Sequence, residues 1–198
     1  MKTPPSPQRK AVAKHISSMF KGDPAVYAYY DEQKKRSISM LTTLDTVEIG
    51  IKSISSIGLS EFPLLDQDGN EFITRVELCS AVPAALELWE NVVVSAAFFI
   101  EQRRNPIRPG SILEGVVKEY YPDISMPHLY FTVPFLWNHG HIDELFFSDV
   151  RINWLQCFAI HDIEKDFVIK YGADAFEDLL AEQEIDIFDT VRPHVVFS

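Results

Sequence analysis

Residues 84–104 constrain the fold of this chain more than any other segment. Apolar side chains recur there at helical spacing in two stripes, one made of Leu86, Trp89, Val93, Ala96 or Ala97, and Ile100, the other of Leu88, Val92 and Phe99. A helix that is apolar on two faces must be surrounded by other elements. The sequence therefore predicts a central, packed helix over 84–104, which ends before Pro106 because proline cannot continue a helix.

The rest of the chain supplies both helices and strands to surround this segment. Helical patterns cover residues 8–21 and two stretches near the C-terminus, of which the first begins near Asp162 as a capping residue and ends at Gly172. Aromatic and β-branched residues predict strands within 38–57, 112–117, 128–137, 144–147 and 152–160. With no internal repeat, this order favours a single α+β domain.

The clearest local signal is a turn at Asp68-Gly69, between two apolar stretches. An Asp-Gly pair in that position is typical of a β-hairpin. The returning strand, residues 72–78, carries Thr74 and Glu77, so we expect one face of it to contact solvent. Asp66 and Asp68 resemble calcium ligands, but the glycine lies fourth instead of sixth in the loop, which argues against an EF-hand.

The composition is that of a globular, intracellular protein. The chain has 198 residues, of which 46% are hydrophobic, enough for a sizeable core. No uninterrupted apolar run approaches the roughly 18 residues of a membrane span, so no membrane association is predicted. Cys79 and Cys157 lie in apolar, strand-like stretches, and we interpret them as reduced, buried thiols of a cytoplasmic protein.

Charge is distributed unevenly along the chain. Residues 1–36, predicted as a tail and a basic helix, contain eight of the 18 Lys and Arg but only three acids, a balance of +5. The remaining 162 residues contain ten bases and 26 acids, a balance of −16. Such a body repels phosphate backbones, which excludes a nucleic-acid partner, and it attracts a basic protein. Alternatively, the excess of acidic residues serves only to keep the protein soluble.

Few residues suggest chemistry. The sequence contains no Gly-x-Ser-x-Gly nucleophile motif and no glycine-rich phosphate loop, so it predicts no catalytic residue and no cofactor. A weak metal candidate consists of His139, His141 and Asp143, which would point the same way in a strand. Asn138 and Gly140 make a turn the simpler interpretation of this segment.

The acidic C-terminal stretch is more informative. Residues 171–191 contain seven acids and no Lys or Arg, and helical spacing places Asp174, Asp178 and Glu182 on one face. Like charges at that spacing each cost a few tenths of a kcal/mol. The face is either a docking surface for a basic partner or a tolerated solvated face. The predicted partner-binding residues are Asp174, Asp178, Glu182, Glu184, Asp186 and Phe188, the last as an exposed anchor or, alternatively, buried against the sheet.

The C-terminal third resembles the closing segment of suppressor-of-fused-like domains in bacteria. The residues that carry the resemblance are the run 151–160 (Arg-Ile-Asn-Trp-Leu-Gln-Cys-Phe-Ala-Ile), Glu164, the run 171–175 (Tyr-Gly-Ala-Asp-Ala), Leu179-Leu180 and the acidic stretch 182–189. Two positions depart from the family pattern: Ala159 stands where proline is common, and His161 or Asp162 stands where Ser or Thr usually caps. The likeness extends over roughly residues 40–195.

This resemblance implies a fold and a class of function. The fold would be a mixed β-sheet flanked by helices, with residues 37–198 as the suppressor-of-fused-like domain. Animal members of the family bind a transcription factor between two lobes, and this chain has room for only the first. Bacterial members are associated with toxin systems as candidate immunity proteins. The implied function is therefore protein binding without catalysis.

Three functional hypotheses follow from the sequence. The first is an immunity or adaptor module that neutralises a protein partner, such as a basic toxin domain. The second is a small metal-dependent or hydrolytic enzyme that uses His139, His141 and Asp143. The third is a structural subunit of an assembly. The oligomeric state is left open by the sequence.

Overall fold

A computed structural model describes residues 4–66, 68–104 and 106–197. In these ranges the helices are α1 (Pro7–Phe20), α2 (Trp89–Arg103), α3 (Asp162–Tyr171) and α4 (Ala173–Glu182). The strands are β1 (Ala25–Tyr30), β2 (Ser37–Leu44), β3 (Ile51–Ile57), β4 (Thr74–Pro83), β5 (Ile112–Leu113), β6 (His128–Thr132), β7 (Leu145–Phe147) and β8 (Val150–Ile160), and a 3-10 turn covers Leu59–Glu61. No helix among the described residues is both long and apolar enough to cross a membrane.

All eight strands form a single mixed sheet. The order is β1-β2-β3-β4-β8-β6-β5, and β7 pairs with β8 beside this path. The first four strands are antiparallel neighbours, β4 and β8 run parallel, and β6 and β7 run antiparallel to β8. The predicted fold class, an α+β domain with a mixed sheet flanked by helices, is confirmed.

Helices cover both faces of the sheet because its strands bury alternate residues on opposite sides. Helix α2 lies in the largest hydrophobic cluster, on one face, together with Leu155 and Cys157 of β8. The neighbouring residues Trp154 and Phe158 point to the other face. There Trp154 packs with α1, and Phe158 packs with α3 and α4. The molecule is therefore built in three layers.

Helix α2 is shorter than its sequence pattern predicts. It begins at Trp89 instead of residue 84, because the preceding residues extend β4 to Pro83 and then turn. The first predicted stripe is buried as expected from Trp89 onward, with Trp89 and Val93 fully buried, whereas Leu86 is half-buried and precedes the helix. The second stripe is only partly right, since Leu88 and Phe99 are exposed. Residues within 107–124 pack against the same cluster, and the hydroxyl groups of Tyr120 and Ser95 in α2 are 2.6 Å apart.

The prediction of a solvent-exposed face on β4 is wrong. Glu77 is fully buried, and its carboxylate accepts hydrogen bonds from the hydroxyls of Ser56 and Ser60 and from the backbone N–H groups of Gly58, Leu59 and Ser60. Five donors around one carboxylate replace its hydration. An isolated Glu in a strand gives no sequence signal of such a cage, since every donor comes from a segment about 20 residues earlier.

The Asp68-Gly69 turn is present, but it does not join two paired strands. The N–H of Gly69 donates to the carbonyl of Asp66, and a single bridge links Leu65 to Glu71. Strand β4 pairs instead with β3 and β8. Strand β1 was not predicted, and the predicted strand at 112–117 is reduced to the two residues of β5.

Serines of the sheet accept hydrogen bonds from the indole N–H groups of all three tryptophans. Trp137 donates to Ser53 at 2.9 Å and Trp154 to Ser55 at 3.1 Å, both in β3. Trp89 donates to Ser80 of β4 at 2.9 Å. A buried indole N–H without an acceptor would destabilise the fold. The polar residues in these buried strands are therefore structural.

Candidate partner-binding surface

Helix α4 presents an acidic side to solvent because its apolar side is held on the sheet. Phe176 is fully buried and meets the ring of Tyr130 edge to face, with 5.2 Å between the ring centroids. Gly172 joins α3 to α4 with a positive φ of 94°, a conformation that favours glycine, as predicted. This junction and the Phe176 anchor fix which side of α4 faces outward.

Of the acidic residues predicted to bind a partner, Asp174, Asp178 and Glu182 are exposed on α4, and two more follow in the segment after the helix. We define the acidic face as the exposed residues Asp174, Asp178, Glu182, Glu184 and Asp186. Within the described part of the chain, no Lys, Arg or His lies within ion-pairing distance of any of them. Their negative charge is consequently not neutralised internally and acts on the solvent and on approaching molecules.

Phe188, the sixth predicted binding residue, does not extend into solvent. It is half-buried and packs against the hydrophobic cluster formed by α1 and the central strands. Its backbone N–H donates to the carboxylate of Asp186 at 2.8 Å, which closes a local turn. The alternative expectation, burial against the body of the protein, describes this side chain better than an exposed anchor.

The segment that follows α4 is held in place by a buried ion pair. Arg192 donates through Nη1 and Nη2 to the two carboxylate oxygens of Glu164 in α3, at 2.6 and 2.9 Å. The N–H of Val195 donates to the same carboxylate at 3.0 Å. Both members of the pair are almost completely buried. This fork-shaped contact fixes residues 185–197 relative to the two C-terminal helices.

The start of α3 differs from the sequence prediction. Glu164 caps the helix by accepting a hydrogen bond from the N–H of His161 at 2.9 Å, so His161 and not Asp162 occupies the capping position. The carboxylate of Asp162 lies 2.8 Å from Nε2 of His128, and this hydrogen bond lowers the pKa of Asp162. Asp162 therefore links the helix to β6.

Sequence reasoning did not single out Glu177, which lies at the inner edge of the acidic stretch. Its carboxylate Oε1 accepts hydrogen bonds from the hydroxyls of Tyr130 and Thr132, each at 2.8 Å. Glu177 lines a cleft between α4, the following segment and the ends of β6 and β8. The sequence could have indicated this role, because the position next to buried Phe176 lies at the border between the apolar and polar sides of α4.

The weak metal candidate lies in a turn, as its glycine suggested. Asn138 and His139 have positive φ angles of 46° and 63°. Nε2 of His141 and Oδ1 of Asp143 are 3.0 Å apart, and both side chains are exposed. Among the described residues, no three His, Cys, Asp or Glu side chains are grouped so that they could hold one ion.

The geometry of the described residues defines a single-domain α+β protein, in which one helix lies on one face of a mixed sheet and three helices on the other, with an acidic face that has no counter-charge among those residues. The profile of the suppressor of fused protein (SUFU) family matches residues 34–193. The chain belongs to this family, as the C-terminal motif indicated.

A curated relative matches almost the whole length of both proteins. It is Immunity protein YqcF of Bacillus subtilis (strain 168), which is 33% identical over 189 residues, or 96% of this chain and 97% of the relative. This level of identity over nearly the full length of both chains shows that the two proteins are related along their whole length.

Solved structures of the family share the fold at low sequence identity. A suppressor-of-fused homologue from Neisseria gonorrhoeae superposes with a TM-score of 0.70 at 16% identity, over 96% of this chain and 98% of the other. The Sufu-Fu complex gives 0.67 at 13% identity, over 97% and 91%. Drosophila Suppressor of Fused gives 0.66 at 13% identity, and this chain spans half of its length.

Proposed function

We propose that this chain is an immunity-type protein that binds a toxin with a basic surface and neutralises it in the cytoplasm, with no catalytic step of its own. The observation that carries the proposal is the match to a protein named as an immunity protein over nearly the full length of both chains. A full-length match means that no additional domain of the relative has to supply the function.

The acidic face is the proposed docking surface for this partner. Five exposed carboxylates without internal counter-charges create a negative potential that attracts a basic surface from a distance. Attraction between solvated charges decays over about 8 Å at physiological salt, so these residues contribute mainly to the rate of association. The negative balance of the whole body after residue 36 acts in the same direction.

Neutralisation can be tested with any toxin-like protein that the genes neighbouring this one encode. Co-expression should restore growth to cells that produce the toxin, and the two purified proteins should elute as one complex in size-exclusion chromatography. Growth arrest that is unaffected by this chain, together with separate elution of the proteins, would exclude the immunity function.

The acidic face can be tested on the same complex by reversing charge. Replacing Asp174, Asp178 and Glu182 with Lys should slow association about ten-fold at 50 mM salt and much less at 500 mM, as expected for electrostatic steering. The measurement is the association rate constant from stopped-flow fluorescence.

The control variant reverses three exposed acids elsewhere, Glu32, Asp68 and Glu119. It has the same net charge as the α4 variant, so it reports the effect of total charge alone. An equal slowing in both variants, or an association rate indifferent to reversal and salt, would show that the acidic face does not dock the partner.

A further inference from the structure

The cleft beside the acidic face has apolar walls and a volume of about 380 Å³. Its apolar lining consists of Phe135, Phe158, Leu180, Ala181, Ile185 and Ile187. Pockets for small ligands start at about 300 Å³, so this cleft suits one long side chain better than a large molecule. Phe158 is buried, while Phe135 is half-exposed at its mouth.

Glu177 places a carboxyl group in this apolar setting. Its Oε1 is occupied by the hydroxyls of Tyr130 and Thr132, whereas no donor among the described residues bonds its Oε2. No Lys, Arg or His of the described chain lies within ion-pairing distance of it. Burial, and then the hydrogen bond to Glu177, raise the pKa of Tyr130, so its phenol remains a neutral donor. One carboxylate oxygen is therefore available to a ligand.

Glu184, the second carboxylate of the cleft, occupies a backbone position that favours glycine. The N–H of Glu184 donates to the carbonyl of Ala181, and the N–H of Ile185 donates to that of Leu180, the hydrogen-bond pattern of a Schellman motif. Glu184 has the positive φ, 50°, that glycine usually adopts after a helix. A side chain is thus present where glycine would fit the backbone with less strain.

We infer that the cleft binds one lysine or arginine side chain of the partner. Such a side chain has an apolar stem, which would pack against Leu180, Ile185 and Ile187, and a cationic end, which would pair with Glu177 and Glu184. A neutral apolar side chain would bury the two carboxylates without a counter-charge, which is unfavourable. The inference rests on the proposed function, and it names the contact that supplies affinity after the acidic face has steered the partner.

Small cations that mimic these side chains test the cleft without any toxin. N-butylguanidinium and n-butylammonium are titrated into protein with labelled Leu and Ile methyl groups, and methyl shifts are followed by NMR. We expect saturable shifts confined to Leu180, Ile185 and Ile187, with millimolar dissociation constants. Neutral 1-pentanol should bind at least five-fold more weakly. Equal binding of the alcohol would show a purely apolar pocket, and no shift with either cation would overturn the inference.

Two variants and a matched control identify the carboxylates responsible. Glu177→Gln should weaken binding of n-butylguanidinium at least five-fold, whereas Asp178→Asn, on the exposed side of the same helix, should change it less than two-fold. Glu184→Gly should also weaken binding while the melting temperature stays equal or rises, which separates a binding role from a structural one. Equal effects of Glu177→Gln and Asp178→Asn would refute the assignment.

These experiments distinguish a failure of the cleft inference from a failure of the proposed function. If the cations bind as expected but no toxin is neutralised, the cleft inference is supported and the immunity function is refuted. If a toxin is neutralised but Glu177→Gln leaves the dissociation rate of the complex with that toxin unchanged, the immunity function is supported and the cleft inference is refuted.

Discussion

The buried carboxylate of Glu77 should be one of the largest single contributors to the stability of this fold. It joins β4 to the end of β3 and to the 3-10 turn, through the hydroxyls of Ser56 and Ser60 and the N–H groups of Gly58, Leu59 and Ser60. The change Glu77→Ala removes the acceptor for all five donors at once. The donors stay buried, and the three backbone N–H groups cannot turn toward other acceptors.

The expected decrease in the free energy of unfolding follows from the number of hydrogen-bond donors that Glu77→Ala leaves without an acceptor. A buried donor that loses its acceptor costs about 1 to 3 kcal/mol. Three backbone N–H groups at the low end of this range give about 3 kcal/mol, and loss of the charge-assisted hydroxyl bonds raises the figure toward about 5. Total stabilities are about 5 to 15 kcal/mol, so Glu77→Ala should leave a marginally stable protein.

The assay is urea unfolding at pH 7, followed by tryptophan fluorescence. Glu77→Ala should lower the free energy of unfolding by about 3 to 5 kcal/mol, and Glu77→Gln, which keeps one acceptor oxygen, by less. The control is Glu119→Ala, because Glu119 is exposed and its replacement should cost less than about 0.5 kcal/mol. A loss below about 1 kcal/mol for Glu77→Ala would refute this account of the cage.

The same carboxylate predicts a pH dependence. Burial raises the pKa of Glu77 above its ordinary value of 4.5, against the opposing effect of its hydrogen bonds. Between these two pKa values the folded protein binds more protons than the unfolded chain, so the free energy of unfolding falls as pH rises through this range. Relative to Glu77→Gln, which has no proton to release, the wild-type protein should lose stability with rising pH there. A gain instead would contradict the direction of the shift.

Three further predictions concern other buried groups. Val93→Asp should unfold the protein, since an unpaired charge at the fully buried position 93 of α2 costs several kcal/mol, and an unchanged melting temperature would exclude a central role for the helix. Cys79 and Cys157 should resist thiol reagents at pH 8 until denaturant is added, because burial raises the pKa of Cys79 well above 9.0 and that of Cys157 to about 12; rapid modification of the native protein would contradict this. Arg192→Ala should cost about 3 to 5 kcal/mol and speed amide exchange after residue 184, since it leaves Glu164 buried without its partner; unchanged urea unfolding would show that the ion pair does not hold this segment.

The sequence by itself determined the features that depend on neighbours along the chain. Helical periodicity located α1, α2 and α4, and the burial of Trp89, Val93 and Phe176 followed from the same spacing. The density of acids between residues 171 and 191 required an acidic outer side on α4, because its apolar side had to face the core. These are local relations, and chain geometry fixes them before any tertiary contact forms.

Only the tertiary structure decided the features that depend on segments distant in sequence. Glu77 became a buried acceptor because the end of β3 and the turn after it bring their donors around its carboxylate. The parallel pairing of β4 with β8 joins residues more than 70 positions apart, and no local pattern specifies that partner. Likewise, Glu177 lines a cleft only because Tyr130 and the segment after α4 meet there. The residues that flank a polar side chain do not show whether it will lie in solvent or in a buried cage of hydrogen-bond partners. Tertiary packing decides between these two environments.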